Sequence, residues 1–159
     1  MTTTVLIADG EPVLREGLAE LLGSQCDFVV VGEVSNAVDA IEQARAQRPD
    51  LAVIALDLPG GGALATASRI RRISPVTRLV VMVPACRQMA PGVQADALVS
   101  YGNRADQVLS RIRAVGPYGP ALRSTASRPS RAYQEPSYWR RARFTPPAGN
   151  GTSPKGADR

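Results

Sequence analysis

Five short apolar runs, most of them β-branched, recur through the first hundred residues: TVLIA (4–8), FVVVGEV (28–34), LAVIAL (51–56), RLVVMV (78–83) and ALVS (97–100). Runs of this kind suit strands buried on both faces, the condition of a parallel sheet covered by helices on each side. Between them the period changes. In EPVLREGLAELLG, Leu14, Leu18, Leu21 and Leu22 fall on one helical face, Pro12 suits the first turn and Gly23 the C-terminal cap. NAVDAIEQARAQ groups Val38, Ile41 and Ala44, and ALATASRIRRI groups Leu64, Ala67, Ile70 and Ile73. RADQVLSRIRAV groups Val108, Leu109, Ile112 and Val115. Strand and helix alternate, so right-handed crossovers predict an α/β domain with helices on both faces of one parallel sheet.

Charge divides the chain in two. Residues 1–115 carry 11 Arg and no Lys against 12 Asp plus Glu, whereas residues 116–159 hold a net charge of +6. The second part is rich in Pro, Arg, Ser and Gly and poor in aliphatic residues, so it cannot bury enough apolar surface to offset the entropy of ordering. A folded domain over 1–115 and a disordered basic tail over 116–159 follow as expectations. The tail segment SRAYQEPSYWRRARF interleaves Tyr133, Tyr138, Trp139 and Phe144 with arginines. It suits weak, nonspecific contact with nucleic acid, a linear motif that orders on a protein partner, or coding DNA read out of frame.

Several classes of function are disfavoured. No apolar run reaches the 18 or so residues needed to span a bilayer, and MTTTVLIADG lacks the basic start of a secretory signal, so a cytoplasmic location is expected. Cys26 and Cys86 stand alone in a chain without histidine, giving neither a zinc site nor a disulfide framework, and are read as apolar filler. The turn ADGEP lacks a glycine-rich phosphate loop and no G-x-S-x-G occurs, so no enzyme is expected.

VLIADGEPVLREGLAELL, VVGEVSNAVDAIEQARAQRPDL and LPGGGALATASRIR together resemble the receiver domains of bacterial two-component response regulators, in particular those preceding a LuxR-type helix-turn-helix. The resemblance covers roughly residues 4–115. It implies a flavodoxin-like sheet of five parallel strands in the order 2-1-3-4-5, and a sensor kinase or another regulator as partner. Between Val83 and Tyr101 the chain is shorter than the resemblance implies, and Pro84, Pro91 and Gly92 interrupt the pattern, so the fourth helix is expected to be irregular, with Met89 a core plug.

At the functional positions the resemblance implies residues that are missing. Of the two adjacent acids expected after the first strand, Asp9 is present and the second position is Gly10. The phosphoacceptor aspartate, six residues after Pro49, falls on Ala55. The switch hydroxyl of the fourth strand falls on Val83 and the lysine of the fifth on Tyr101. Asp57 lies two positions beyond Ala55, about 6.5 Å along an extended strand, as a substitute acceptor displaced from the expected place. Asp9 alone is expected to hold magnesium weakly at most, with no other metal or cofactor. The expected function is a pseudo-receiver acting through protein contacts. The alternatives are a DNA-associated regulator using the basic tail, a receiver phosphorylated at Asp57, and a truncated or frameshifted remnant of a LuxR-type regulator. The oligomeric state is left open.

Overall fold

The computed structural model describes residues 2–85 and 94–117. The expected irregular fourth helix, with Cys86 and Met89, falls largely on 86–93, and the tail with its four aromatic residues falls beyond 117; both lie outside the described residues. The rest forms β1 (Thr3–Ala8), α1 (Pro12–Gly23), β2 (Phe28–Val34), α2 (Ala37–Gln47), β3 (Leu51–Ala55), α3 (Gly62–Ile73), β4 (Arg78–Val83), β5 (Ala97–Ser100) and α4 (Ala105–Val115). All strand pairs are parallel, and the order is β2-β1-β3-β4-β5, the flavodoxin-like arrangement. Among the described residues no helix is long and apolar enough to cross a membrane.

Alternation along each strand divides the core into two layers. Val5, Ile7, Val53, Val80, Met82 and Val99 point to the side covered by α1 and α4, where Leu18, Leu22, Val108 and Ile112 meet them. Leu6, Ala8, Ala52, Ile54, Leu79 and Val81 point to the side of α2 and α3. Polar residues fix the starts of the strands. Thr4 donates through both its backbone amide and its Oγ1 to Asp50 Oδ2 at 2.8 Å, tying β1 to the residue before β3. Asp96 accepts from the Leu79 amide at 2.7 Å and from Arg71 at 3.0 Å, setting the register of β4 against β5.

The second layer corrects the reading of two helix faces. α2 buries Ala37, Ala40 and Ala44, and α3 buries Ala63, Thr66, Ala67 and Ile70, while Val38 is 61% exposed and Leu64 49% exposed. Small side chains let these helices lie close to a sheet that already supplies the bulk, so the larger aliphatic residues turn outward. Cys26 is also exposed, in the loop before β2, and is not the apolar filler expected. Ile70→Ala should therefore cost about 2–5 kcal/mol in a denaturant titration. Leu64→Ala should stay within about 0.5 kcal/mol of the parent, and an equal loss at both positions would contradict this packing.

Candidate functional site

In a parallel sheet all strands end on the same edge, and the loops that follow gather there. This edge collects Asp9 after β1, Ala55 at the end of β3, Asp57 in the turn beyond it, Val83 at the end of β4 and Tyr101 directly after β5. Asp9 is only 4% exposed. Its backbone amide donates to the Val34 carbonyl at 3.0 Å, and its carbonyl accepts from Arg15 Nη1 at 2.7 Å. Its carboxylate is engaged on both oxygens. Oδ1 accepts the Glu11 amide at 2.9 Å, an Asx turn that leads into α1 at Pro12. Oδ2 accepts the hydroxyl of Tyr101, whose own amide is held by the Val83 carbonyl at 2.9 Å.

This environment shifts both groups. Burial pushes the Asp9 carboxyl above its ordinary value, while the hydrogen bonds from Tyr101 and Glu11 oppose that rise in part. Burial, then the charge of Asp9 and the bond to it, push the Tyr101 phenol far up, with the charge of Asp57 adding to the effect. Tyr101 therefore stays a neutral donor across the physiological range. A phenol at this position meets the carboxylate without bringing a second buried charge.

The remaining positions close the site. The turn Pro59-Gly60-Gly61-Gly62 has positive φ at all three glycines (89°, 141° and 66°), which side-chain-bearing residues rarely adopt. That backbone carries the Pro59 carbonyl to the Ala37 amide at 2.8 Å and lays the proline ring over Gly10. A β-carbon at residue 10 would stand 2.6 Å from Pro59 Cδ, so no acidic side chain fits there while the ring stays in place. Ala55 is buried and presents a methyl group, which offers no nucleophile for phosphoryl transfer. Asp57 is exposed at the rim.

Magnesium requires several hard oxygen ligands in near-octahedral array. Gly10 and Ala55 contribute no side-chain oxygen, and both oxygens of Asp9 already accept hydrogen bonds from the protein. The residues present do not fit the ion. The structure thus brings together Asp9 and Tyr101, two of the positions picked out in the sequence. The roles of Glu11, Arg15 and Pro59 were not read from the sequence. The Asp-Gly pair of ADGEP was a usable signal for the Asx turn, whereas nothing local to Pro59 points at Gly10.

A raised native carboxyl retains its proton to higher pH than the unfolded chain does. Its contribution to stability is thus complete below the ordinary value of 3.8 and is lost as pH rises through the native value. The Asp9→Asn variant lacks this titration. The stability of the parent relative to Asp9→Asn should therefore fall as pH rises from the ordinary value of 3.8 through the higher native value in paired denaturant titrations, and a pH-independent difference would contradict the environment described.

Comparison with known proteins agrees with this architecture. Residues 5–98 match the model of the response regulator receiver domain. Over 78 residues the chain is 40% identical to the nitrate/nitrite response regulator protein NarL of Escherichia coli K12, covering 49% of this chain and 36% of that protein. A crystal structure of a LuxR-family two-component response regulator from Aurantimonas sp. SI85-9A1 superposes with a TM-score of 0.66 at 25% identity, covering 72% of this chain and 85% of that one. The response regulator domain of Thermotoga maritima CheB shares the fold, with a TM-score of 0.64 at 20% identity, covering 76% of this chain and 100% of that one. The match spans about a third of the length of NarL. From the five-stranded order, the residues gathered at its C-terminal edge and the match over 5–98, the chain belongs to the response regulator receiver domains of two-component systems.

Proposed function

We propose that this receiver domain works without phosphorylation, as a cytoplasmic pseudo-receiver that acts by contact with a protein partner such as a sensor kinase or another regulator. One observation carries the reading. The carboxylate that a phosphorylated receiver needs for its metal is bonded on one oxygen to the Tyr101 hydroxyl and on the other to the Glu11 amide. The methyl group of Ala55 at the expected acceptor position, the proline ring over Gly10 and the loss of a hydroxyl at Val83 support it further. No catalytic step, metal or cofactor enters this function. The net +6 of residues 116–159 favours a secondary, salt-sensitive affinity for nucleic acid that adds no sequence preference.

Incubation of the full chain with acetyl phosphate and magnesium, beside a phosphorylatable receiver as control, should leave its intact mass unchanged. A phosphoryl-sized increase that disappears in Asp57→Asn would overturn the reading and make Asp57 the acceptor. An increase that survives Asp57→Asn would overturn it in favour of another group.

A further inference from the structure

Four exposed arginines outside the site stand on α2, its C-terminal cap and α3, two helices that pack against each other. The outer flank of α2, with Asp39, Glu42, Gln43, Ala46 and Gln47, lines a cleft of about 570 Å³ beside the edge strand β2. Helical periodicity then turns Val38, Ile41 and Arg45 toward α3, which packs against α2, and Arg48 follows as the left-handed C-cap of α2. On α3, Arg71 reaches the other way, to Asp96 and to the carbonyl of Gln94 beside β5. Arg69, on the flank opposite Arg71, therefore lies on the α2 side, and Arg72 follows in the last turn, directed away from the sheet. All four guanidinium-bearing residues are exposed, and among the described residues none of them donates to an acidic side chain. By contrast, Arg71, Arg78, Arg104 and Arg113 each pair with an aspartate.

The seam is graded along its length. Its N-terminal half presents apolar surface from Val38, which is 61% exposed, with Ile41 partly buried and Ala65 exposed beside it. Its C-terminal half presents the four cations. Arg45 lies in the last turn of α2 and Arg72 in that of α3, where the helix dipole favours positive charge, so part of this pattern stabilises the helix ends. The dipole accounts for Arg45 and Arg72 at the helix ends but not for Arg69, which lies before the last turn of α3 on its α2 side.

We propose that the α2–α3 groove docks an acidic amphipathic helix of a protein partner, its apolar residues on Val38 and Ala65 and its carboxylates on Arg45, Arg48, Arg69 and Arg72. Guanidinium groups bind carboxylates bidentately, and arginine is enriched at protein interfaces. A phosphate backbone would use the arginines but leave the apolar half of the seam idle, so a protein helix is the better fit. This surface names the partner chemistry for the contact function proposed above. It does not depend on whether the domain is phosphorylated, and the two tests read different quantities.

The probe is a fluorescent synthetic helix with leucine on one face and glutamate on the other, measured against the full chain by anisotropy. Two paired variants, Arg45→Gln with Arg48→Gln and Arg69→Gln with Arg72→Gln, leave the basic tail untouched, so any difference reports the groove. Circular dichroism confirms that each is folded. Each pair should weaken binding about tenfold, and Val38→Asp should weaken it as well. Affinity equal to the parent in both arginine pairs overturns the proposal. So does a DNA duplex that binds as tightly as the peptide and loses as much in the same variants while Val38→Asp has no effect, which would make the seam a phosphate site.

Discussion

The hydrogen bond between the Tyr101 hydroxyl and the Asp9 carboxylate is the contact on which the character of this receiver depends. A carboxylate only 4% exposed at the end of a strand is costly unless its charge is met. A site with neighbouring acids can share a metal ion or a lysine, but here Gly10 and Ala55 have removed those neighbours. A buried ammonium facing a single carboxylate would add its own desolvation cost, whereas a phenol supplies the donor without the charge. Tyr101 and the Glu11 amide together give each oxygen of Asp9 a partner, and the site becomes part of the packing.

That change is supported from a second direction. The three glycines with positive φ after Pro59 return the chain so that the proline ring covers Gly10 and its carbonyl caps the start of α2. The loops after β1 and β3 and the residue after β5 are thereby joined by contacts among themselves. Among the described residues, these contacts tie the loops of the strand edge to one another. The exposed arginines of α2 and α3 lie outside this network.

Much of this was legible in the sequence, and the limits have physical causes. The strands agree with the apolar runs to within a residue at their ends, Thr3 joining β1 and Leu56 leaving β3, because the central strands are buried on both faces and are built almost wholly of apolar residues. Val38 and Leu64 were misread because helical periodicity marks apolar positions without telling whether bulk or closeness is wanted against the sheet. Alanines won that competition on both α2 and α3. At the site, Gly10, Ala55, Val83 and Tyr101 were marked out by the resemblance to receiver domains. What Tyr101 does with Asp9, 92 residues away, required the fold that brings β5 and β1 to the same edge. The contact of Pro59 with Gly10 is long-range in the same sense, since neither residue's neighbours encode the other's place.

The central claim is that Asp9 and Tyr101 act as one unit. A double-mutant cycle with Asp9→Ala, Tyr101→Phe and the combined variant measures this directly at neutral pH. If the hydrogen bond holds the site together, removing either partner leaves the other buried and unsatisfied, and the two losses should fail to add by about 1 kcal/mol or more. Losses that add within about 0.5 kcal/mol would mean that the two groups contribute independently, and would contradict the account.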